Sequence, residues 1–489
     1  MANTELVTIT QHEFLEYQNL KSEVVWLKNQ LAELKRLIFG AKSERFITPY
    51  PDQATLFDLT EETTAQNLTE DITYTRTKSS QEKKQPQRME LPSHLERREE
   101  VIEPEDLQQD AKKIGEAVTE VLEYEPASAY VRRIVRPKYI VEQSDEETRI
   151  AIAPLPTLPI PKGNAGASMI SHLLVSKFVD HLPFYRQVQI FKRQNLEVAE
   201  STINGWFNAG CDLLEPLYQA LKTKMLSSDY LMADETPIPV LTKDKPGATH
   251  KGYHWVYYDP IHRLVLFDYR KSRGREGPDE MLKEFAGYLQ TDGYNAYDHY
   301  ENRSQITLLA CMAHARRKFE HAQENNPSLA GNALKMFQAL YDIERDIRET
   351  NLQEDAIKSQ RQERSKPILL QMESWLREQI ILVPPKSAIG VAMAYTLNLW
   401  PRLIRYIDDG RLQIDNNLIE NSIRPVALGR KNYLFAGSHE AAQQAAVIYS
   451  ILATCKLHAV EPFAYLSKIL AIIPDFPANQ LHILLPGQK

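Results

Sequence analysis

Five short runs of aromatic and β-branched residues between residues 230 and 312 most constrain what this chain can fold into. Turn residues separate the runs, and a basic segment beginning at His314 follows the last one directly. Runs of this kind are typical of strands, and strands with a helix leading away from them predict an α/β or α+β layer domain. The predicted strands cover residues 230–241, 253–258, 264–269, 287–292 and 308–312. Helices are predicted over 332–406 and 441–473.

Heptad spacing and composition divide the rest of the 489-residue chain. Seven apolar residues recur alternately four and three positions apart, which predicts a helix of about three heptads with an a/d seam. They are Tyr17, Leu20, Val24, Leu27, Leu31, Leu34 and Ile38. The seam fits a self-associating coiled coil, and it also fits an amphipathic helix that packs on its own chain.

Residues 51–71 are acidic, and residues 75–92 are rich in Lys, Gln and Arg with almost no large apolar side chains. Such a composition cannot bury a core, so it predicts a flexible linker. Strands are predicted again over 117–124 and 129–141. The predicted divisions are a coiled coil with a basic tail (10–46), a linker (47–100), a small β-containing domain (101–160), a helical region (161–226), the sheet domain (227–440) and a C-terminal helical region (441–489).

Two short helices near residue 200 are a candidate DNA-binding motif. The pattern predicts one helix over 184–193, a break, and a second helix over 201–211 with Ser201 as its N-cap. This arrangement fits a helix-turn-helix, although helix pairs that bind no DNA are common. The residues predicted to contact DNA here are Lys192, Arg193, Ser201 and Asn204.

Charge and cysteine content limit the setting in which the chain works. The formal charge is 58 − 65 = −7, so a nucleic-acid partner would require clustered basic residues. Three widely spaced cysteines offer no disulfide framework and favour a reducing cytoplasm. No apolar run approaches the roughly 18 residues of a membrane span, and the N-terminal residues do not resemble a signal peptide. We therefore expect a cytoplasmic protein without a membrane partner.

Three acidic residues stand out by position: Asp234 inside the first strand, Asp292 at the end of the fourth, and Glu420 at the opening of a later helix. Each has an ordinary alternative as a strand-edge, turn or helix-terminal residue. Together, two Asp on neighbouring strands and a Glu on a helix can meet at one edge of a sheet. Such a set suits Mg²⁺, and two ions about 3.5–4 Å apart support in-line phosphoryl displacement. The triad therefore predicts nuclease or strand-transfer chemistry.

Basic residues follow both the fifth strand and Glu420, where they could hold phosphates without reading sequence. A solvated helix face is the alternative for the first group. The residues predicted to contact DNA are His314, Arg316, Arg317, Lys318, Arg424, Arg430 and Lys431. Cys311 and His314 could form half of a zinc site, but no second ligand pair is near, so zinc is not predicted there. No GxxxxGK[ST], GxSxG or HExxH motif supports another hydrolytic class.

Several longer strings resemble the transposases of the insertion sequence 66 family. They are ADETP at 233–237, QTDGY at 290–294, CxxHxRRKF at 311–319, DNNxxE at 415–420 and GRKNxxFAGS at 429–438. The segments FGxxSE at 39–44 and LVSKFxDHLPxYRQ at 174–187 are similar to that family too. The match runs in the expected order from about Leu20 to the C-terminus.

The resemblance implies a ribonuclease-H-like catalytic domain with a DDE triad of Asp234, Asp292 and Glu420. These carboxylates would hold two Mg²⁺ or Mn²⁺ ions, and residues of about 330–410 would be a helical insertion. The implied function is a DNA transposase that cuts at the ends of its element and joins the freed 3′-hydroxyls to target DNA. The alternatives are a DNA-binding regulator with an inactive core and a plain ribonuclease-H-fold nuclease.

The resemblance also implies partners: terminal inverted repeats, target DNA, further copies of the chain and accessory proteins of the element. It places the protein at the nucleoid of a bacterial cell. The family's small zinc-finger domain corresponds to residues 101–160. Residues 103–114 lack Cys and His, and Val141 and Ser144 stand where a second Cys pair is expected. Bound zinc is therefore not expected.

Overall fold

The computed structural model describes residues 156–161, 163–242 and 247–488, the strands at 138–143 and 148–152, Arg132, and residues 16, 17, 20, 21, 23, 24 and 27. The chain divides into two compact units, Met1–Ala41 with Arg136–Lys489, and Lys42–Val135. All described helices and strands belong to the first unit. The predicted linker and the predicted strand over 117–124 lie outside the described residues.

A five-stranded mixed sheet forms the centre of the fold. Its strands are β3 (Tyr230–Leu241), β4 (Thr249–Asp259), β5 (Leu264–Arg270), β6 (Gly287–Thr291) and β7 (Ile306–Ala310), in the order β5-β4-β3-β6-β7. β3, β4 and β5 pair antiparallel, whereas β6 and β7 run parallel to β3. Each of the five predicted strands overlaps an observed one, but β4 begins earlier, β6 ends one residue before Asp292, and β7 lies two residues earlier at both ends than the predicted 308–312.

A separate antiparallel pair precedes the sheet domain, formed by β1 (Lys138–Gln143) and β2 (Thr148–Ile152). The prediction of a strand over 129–141 coincides with β1 only from Lys138 onward. β2 was not predicted, because its five residues are interrupted by Arg149 and lack the longer apolar run that marks the later strands.

Three helices lead into the sheet: α1 (Ala167–Phe178), α2 (Phe184–Arg193) and α3 (Glu200–Leu226). α2 confirms its prediction, but α3 is much longer than the predicted 201–211, because its buried stripe continues through Leu217, Leu221 and Met225. The assignment of Ser201 as N-cap was wrong, since the helix begins at Glu200 after Ala199. Lys177 of α1 joins the three helices, its Nζ lying 3.7 Å from the Phe184 ring centroid and 4.8 Å from that of Phe207.

The remaining helices follow the sheet or interrupt it. They are α4 (Glu276–Met281), α5 (Met312–His321), α6 (Pro327–Thr350), α7 (Glu354–Gln360), α8 (Lys366–Ile380), α9 (Ala388–Asn398), α10 (Trp400–Ile404), α11 (Asn417–Tyr433), α12 (His439–Leu457) and α13 (Pro462–Ile472). A π-helical turn, Arg361–Ser365, joins α7 to α8. No helix in the described residues is long and apolar enough to cross a membrane.

Helix α12 covers the edge strand β5 through side-chain hydroxyls. Ser450 Oγ accepts a hydrogen bond from the Phe267 amide at 2.8 Å, and Thr454 Oγ1 accepts one from the Val265 amide at 3.2 Å. Unpaired edge amides invite pairing with other strands, and these two buried hydroxyls occupy them. β5 is therefore covered along this edge of the sheet.

A buried ion pair holds the helices between α6 and α10 together. Arg361 donates from Nε and Nη2 to the two carboxylate oxygens of Glu344 at 2.8 and 2.7 Å. Its Nη1 donates to the carbonyls of Tyr406 and Asp409, each at 3.0 Å. Both side chains are buried. The guanidinium of Arg361 therefore links α6, through Glu344, to the segment that follows α10.

Candidate active site

The pairing register of the sheet brings Asp234 and Asp292 to the same level. In the parallel β3–β6 pair, Tyr230 lies opposite Tyr288, Leu231 opposite Leu289 and Met232 opposite Gln290. This register is a constant offset of 288 − 230 = 58 residues, and Asp292 follows Asp234 by 292 − 234 = 58 residues. Extended by two residues, the register therefore sets the two aspartates side by side at the carboxyl end of β6.

The turn after β6 fixes Asp292 by its backbone and its side chain. Oδ1 accepts the Tyr294 amide at 2.8 Å, and the backbone carbonyl accepts the Tyr395 hydroxyl of α9 at 2.7 Å. Gly293 has φ +88°, and a Cβ there would stand 2.6 Å from Leu399 Cδ1. Glycine is required on both counts. The helices inserted between α5 and α11 thus pack directly on an aspartate of the site.

Glu420 lies in the first turn of α11, and two backbone contacts anchor that helix near β7. The Met312 amide donates to the Ile414 carbonyl at 3.1 Å, and the Asn416 amide donates to Cys311 Sγ at 3.2 Å. Both contacts join the end of β7 to the residues immediately before α11. The helix was expected to open at Glu420 and run to Arg424, and it continues through Pro425 to Tyr433.

The carboxyl group of Asp234 is buried near the carboxylates of Asp292 and Glu420. Burial raises the pKa of Asp234 to about 8, and repulsion from Glu235, Asp292 and Glu420 adds to the effect. A buried carboxyl whose pKa is raised both by burial and by nearby like charges marks a candidate functional site. A bound cation would relieve this repulsion.

The donor set fits a hard divalent cation, because all three side chains offer oxygen ligands. Glu420 Oε1 is buried without a hydrogen-bond partner in the described part of the chain, which leaves it available as a ligand. No group of three or more His, Cys, Asp or Glu side chains among those residues is by itself arranged to hold a metal ion. An ion shared by two carboxylates would therefore complete its shell with water and substrate phosphate, as Mg²⁺ commonly does.

Helix α5 places three of the predicted basic residues around the site. His314 Nε2 and an Nη of Arg317 each lie 3.9 Å from a carboxylate oxygen of Glu420. Burial lowers the pKa of His314, and Arg317 lowers it further. Lys318 Nζ lies 5.4 Å from the ring centroid of Tyr395. Arg316 is occupied elsewhere, pairing with Glu320 at 3.2 Å.

The other residues predicted to contact DNA occupy two surfaces. Arg424 and Lys431 are exposed on α11, whereas the guanidinium of Arg430 donates to the Pro237 carbonyl and ties that helix to β3. Lys192, Arg193 and Ser201 are exposed around the α2–α3 turn. The side-chain Nδ2 of Asn204 donates a hydrogen bond to the Glu200 carbonyl of the same helix at 3.0 Å. DNA contact at these positions stays a prediction.

The zinc expectation also stays a prediction, because most of residues 101–160 lie outside the described part of the chain. Cys311 is buried, and burial raises its pKa to about 12. A protonated thiol is a poor metal ligand.

Sequence reasoning missed four residues that contact or border the triad: Glu235, Arg273, Tyr294 and Tyr395. Glu235 follows Asp234 in the string ADETP, and Tyr294 lies two residues after Asp292 in QTDGY. Their closeness in sequence to the two aspartates could have identified both. Arg273 and Tyr395 approach from segments 38 and 103 residues away from their partners. No local pattern marks such contacts.

Three protein-family models match this chain. Residues 162–444 match the model of the transposase IS66 family, residues 26–99 match the model described as transposase C of IS166 homeodomain, and residues 450–486 match the IS66 C-terminal element. No solved structure matches significantly.

Relatives of similar length occur in Sinorhizobium fredii (strain NBRC 101917 / NGR234). Uncharacterized protein y4jD is 32% identical over 502 residues, covering 97% of this chain and 97% of the relative. Uncharacterized protein y4hP is 30% identical over 497 residues, covering 95% of this chain and 89% of the relative. With more than half of its residues inside one family model, the chain belongs to the IS66 family of transposases.

Proposed function

We propose that this transposase cleaves DNA at the ends of its own element and joins the 3′-hydroxyls to target DNA by metal-dependent phosphoryl transfer. The observation that supports the proposal is the common level of Asp234 in β3 and Asp292 immediately after β6, with Glu420 of α11 near enough to repel Asp234. The antiparallel β3–β5 meander, extended by two parallel strands, supports a ribonuclease-H-like domain interrupted by helices α6–α10.

The acidic residues of the site would bind metal ions, and the basic residues would bind phosphate groups. Asp234 with Asp292, and Asp234 with Glu420, would each hold one Mg²⁺ or Mn²⁺, which activates the attacking oxygen and stabilises the leaving one. Arg317 lies beside Glu420 and Lys318 lies over the ring of Tyr395, and both would neutralise phosphate charge. The nucleophile is water in cleavage and a DNA 3′-hydroxyl in joining, so no covalent enzyme intermediate is required.

Purified protein should cut a duplex that carries the terminal inverted repeat of its element and join that end to a plasmid. Both reactions should require added Mg²⁺ or Mn²⁺ and produce 3′-hydroxyl ends, measured by end-labelled gels and sequenced junctions. Cleavage without joining would favour the plain nuclease. End binding without either reaction would favour the regulator with an inactive core.

The N-terminal heptad residues support assembly into a multimer. Tyr17, Leu20, Val24 and Leu27 are helical and between 47% and 59% exposed, which leaves an apolar seam open to a second copy. Leu31, Leu34 and Ile38 of that seam lie outside the described residues. Paired cutting needs two ends held together, and this seam is our candidate for joining protomers.

Charged residues at Leu27 and Leu31 should therefore dissociate the multimer, because neither partner could compensate a charge in the seam. We expect paired-end complexes to be lost while single-end binding persists, as measured by light scattering and gel shift. Ser22→Glu is the control, since Ser22 is an f position of the heptad and lies opposite the a/d seam. If the Leu27/Leu31 variant keeps the parent's mass and still pairs ends, the heptad residues form only an intrachain packing helix.

A further inference from the structure

Glu235 is a buried acid with one partner, immediately after Asp234. Successive strand residues point to opposite faces of a sheet, so Glu235 faces away from Asp234. Its side chain is only 4% exposed. Oε1 accepts hydrogen bonds from Nε of Arg273 at 2.7 Å and from Nη2 of the same residue. Oε2 has no partner in the described part of the chain. A charge buried this way is costly unless its one partner is held firmly.

Arg273 is held on its other side by the residue that contacts Asp292. Its guanidinium lies 3.9 Å from the ring centroid of Tyr294, and the Tyr294 hydroxyl donates to the Arg273 carbonyl at 3.2 Å. The amide of Tyr294 donates to Asp292 Oδ1. Arg273 is therefore connected to both aspartates of the triad, through Glu235 on β3 and through Tyr294 after β6.

The arginine nevertheless keeps an outward surface. It is 44% exposed, and Nη1 has no hydrogen-bond partner among the described residues. An arginine whose fork and ring face are already fixed loses little entropy on binding, and its remaining N–H groups match a phosphate oxygen. The carboxylates of Asp234, Asp292 and Glu420 would repel DNA unless cations offset their charge.

We propose that Arg273 binds a backbone phosphate of DNA beside the reacting one, and that Glu235 and Tyr294 are positioning residues that aim it. The inference rests on the proposed function, because the DNA lies at the triad. Phosphate contacts are independent of sequence, so Arg273 sets the position of the strand and leaves sequence recognition to other residues.

Arg303 provides a matched control within the same domain. It is 41% exposed, stacks on a tyrosine (4.8 Å from the ring centroid of Tyr300) and lies 3.7 Å from the carboxylate of Asp279. It thus shares the charge, exposure and ring contact of Arg273 without the connection to the triad. Thermal unfolding of every variant, compared with the parent, shows whether its fold is intact.

The test measures Kd for a terminal-inverted-repeat duplex across a series of salt concentrations. Arg273→Ala should weaken binding about tenfold and reduce the slope of log Kd against log salt by about one, because one phosphate contact is lost. Arg273→Lys should restore the slope but only part of the affinity, since an ammonium cannot bind Glu235 and phosphate as a fork does. Glu235→Gln should weaken binding with the slope retained, and Arg303→Ala should change neither quantity.

Equal slopes and affinities for Arg273→Ala and Arg303→Ala would overturn the inference alone. Failure of the parent to bind the duplex would overturn the proposed function, and this inference with it. In cleavage assays Arg273→Ala should raise KM more than it lowers kcat, whereas an unchanged KM would argue against phosphate contact.

Discussion

Asp234→Asn, Asp292→Asn and Glu420→Gln should each reduce strand cleavage by about a thousandfold or more, while end binding stays nearly unchanged. Each amide keeps the volume of the acid but removes an anionic metal ligand, and metal-assisted charge stabilisation is worth several kcal/mol, or about three powers of ten in rate. The surfaces proposed to bind DNA are untouched. Cleavage gels and gel shifts on the same preparations measure the two effects separately.

Asp342→Asn is the matched control, because Asp342 is a surface acid of α6 paired with Arg345. It should cleave like the parent. If Glu420→Gln retained cleavage, Glu420 would not be the third metal ligand, and another residue would have to fill that role.

Stability measurements distinguish loss of chemistry from loss of fold. Because folding raises the pKa of Asp234 from 3.8 to about 8, the free energy of unfolding of the metal-free parent falls as pH rises through that range. Asp234→Asn has no such group, so it should be more stable than the parent at pH 8 and lose this advantage near pH 4. Mg²⁺ should raise the melting temperature of the parent and have little effect on the variant.

Removing the carboxylate of Glu344 should destabilise the inserted helices by about 3–5 kcal/mol, since Arg361 would be left charged and unpaired in the interior. Glu344→Ala is the change, and urea unfolding followed by Trp375 and Trp400 fluorescence is the measurement, because both tryptophans lie in these helices. Tyr395 of the same region binds the Asp292 carbonyl, so cleavage should decline as the helices unfold.

A surface pair supplies the comparison for this prediction. Arg377 and Glu373 lie one helical turn apart at 2.8 Å with the arginine largely exposed, and Glu373→Ala should cost less than about 1 kcal/mol. Replacing both members of the buried pair, as Glu344→Leu with Arg361→Met, should recover part of the loss. A full recovery would mean that apolar packing of the two replacements offsets the lost ion pair and the lost bonds from Arg361 to the carbonyls of Tyr406 and Asp409.

The sheet could be predicted because its information is local. Aromatic and β-branched runs, broken by turns, mark all five strands between 230 and 312. Asp234 interrupts the first run and Asp292 ends the fourth, so both acids stand out in the sequence. The second helix of the candidate DNA-binding motif was predicted too short, because its buried stripe continues beyond residue 211 and past Pro216.

The surroundings of the triad could not be predicted, because they are made by distant segments. The pairs Arg273 with Glu235, Tyr395 with Asp292 and Arg361 with Glu344 join residues that the chain separates by 38, 103 and 17 positions. Arg430 illustrates the same limit: its position after Glu420 indicates a phosphate contact, yet its guanidinium reaches the carbonyl of Pro237.

The constant pairing register between β3 and β6 determines where insertions and deletions in the gene can be tolerated. One codon gained or lost between Tyr230 and Asp234, or between Tyr288 and Asp292, moves one aspartate out of level with the other and turns its side chain to the opposite face. Codons gained or lost in the loops that connect these strands leave the register unaffected. In decayed copies of such an element, we therefore expect short in-frame losses at 230–234 or 288–292 to abolish the activity proposed for this chain, and also to displace core side chains of these buried strands.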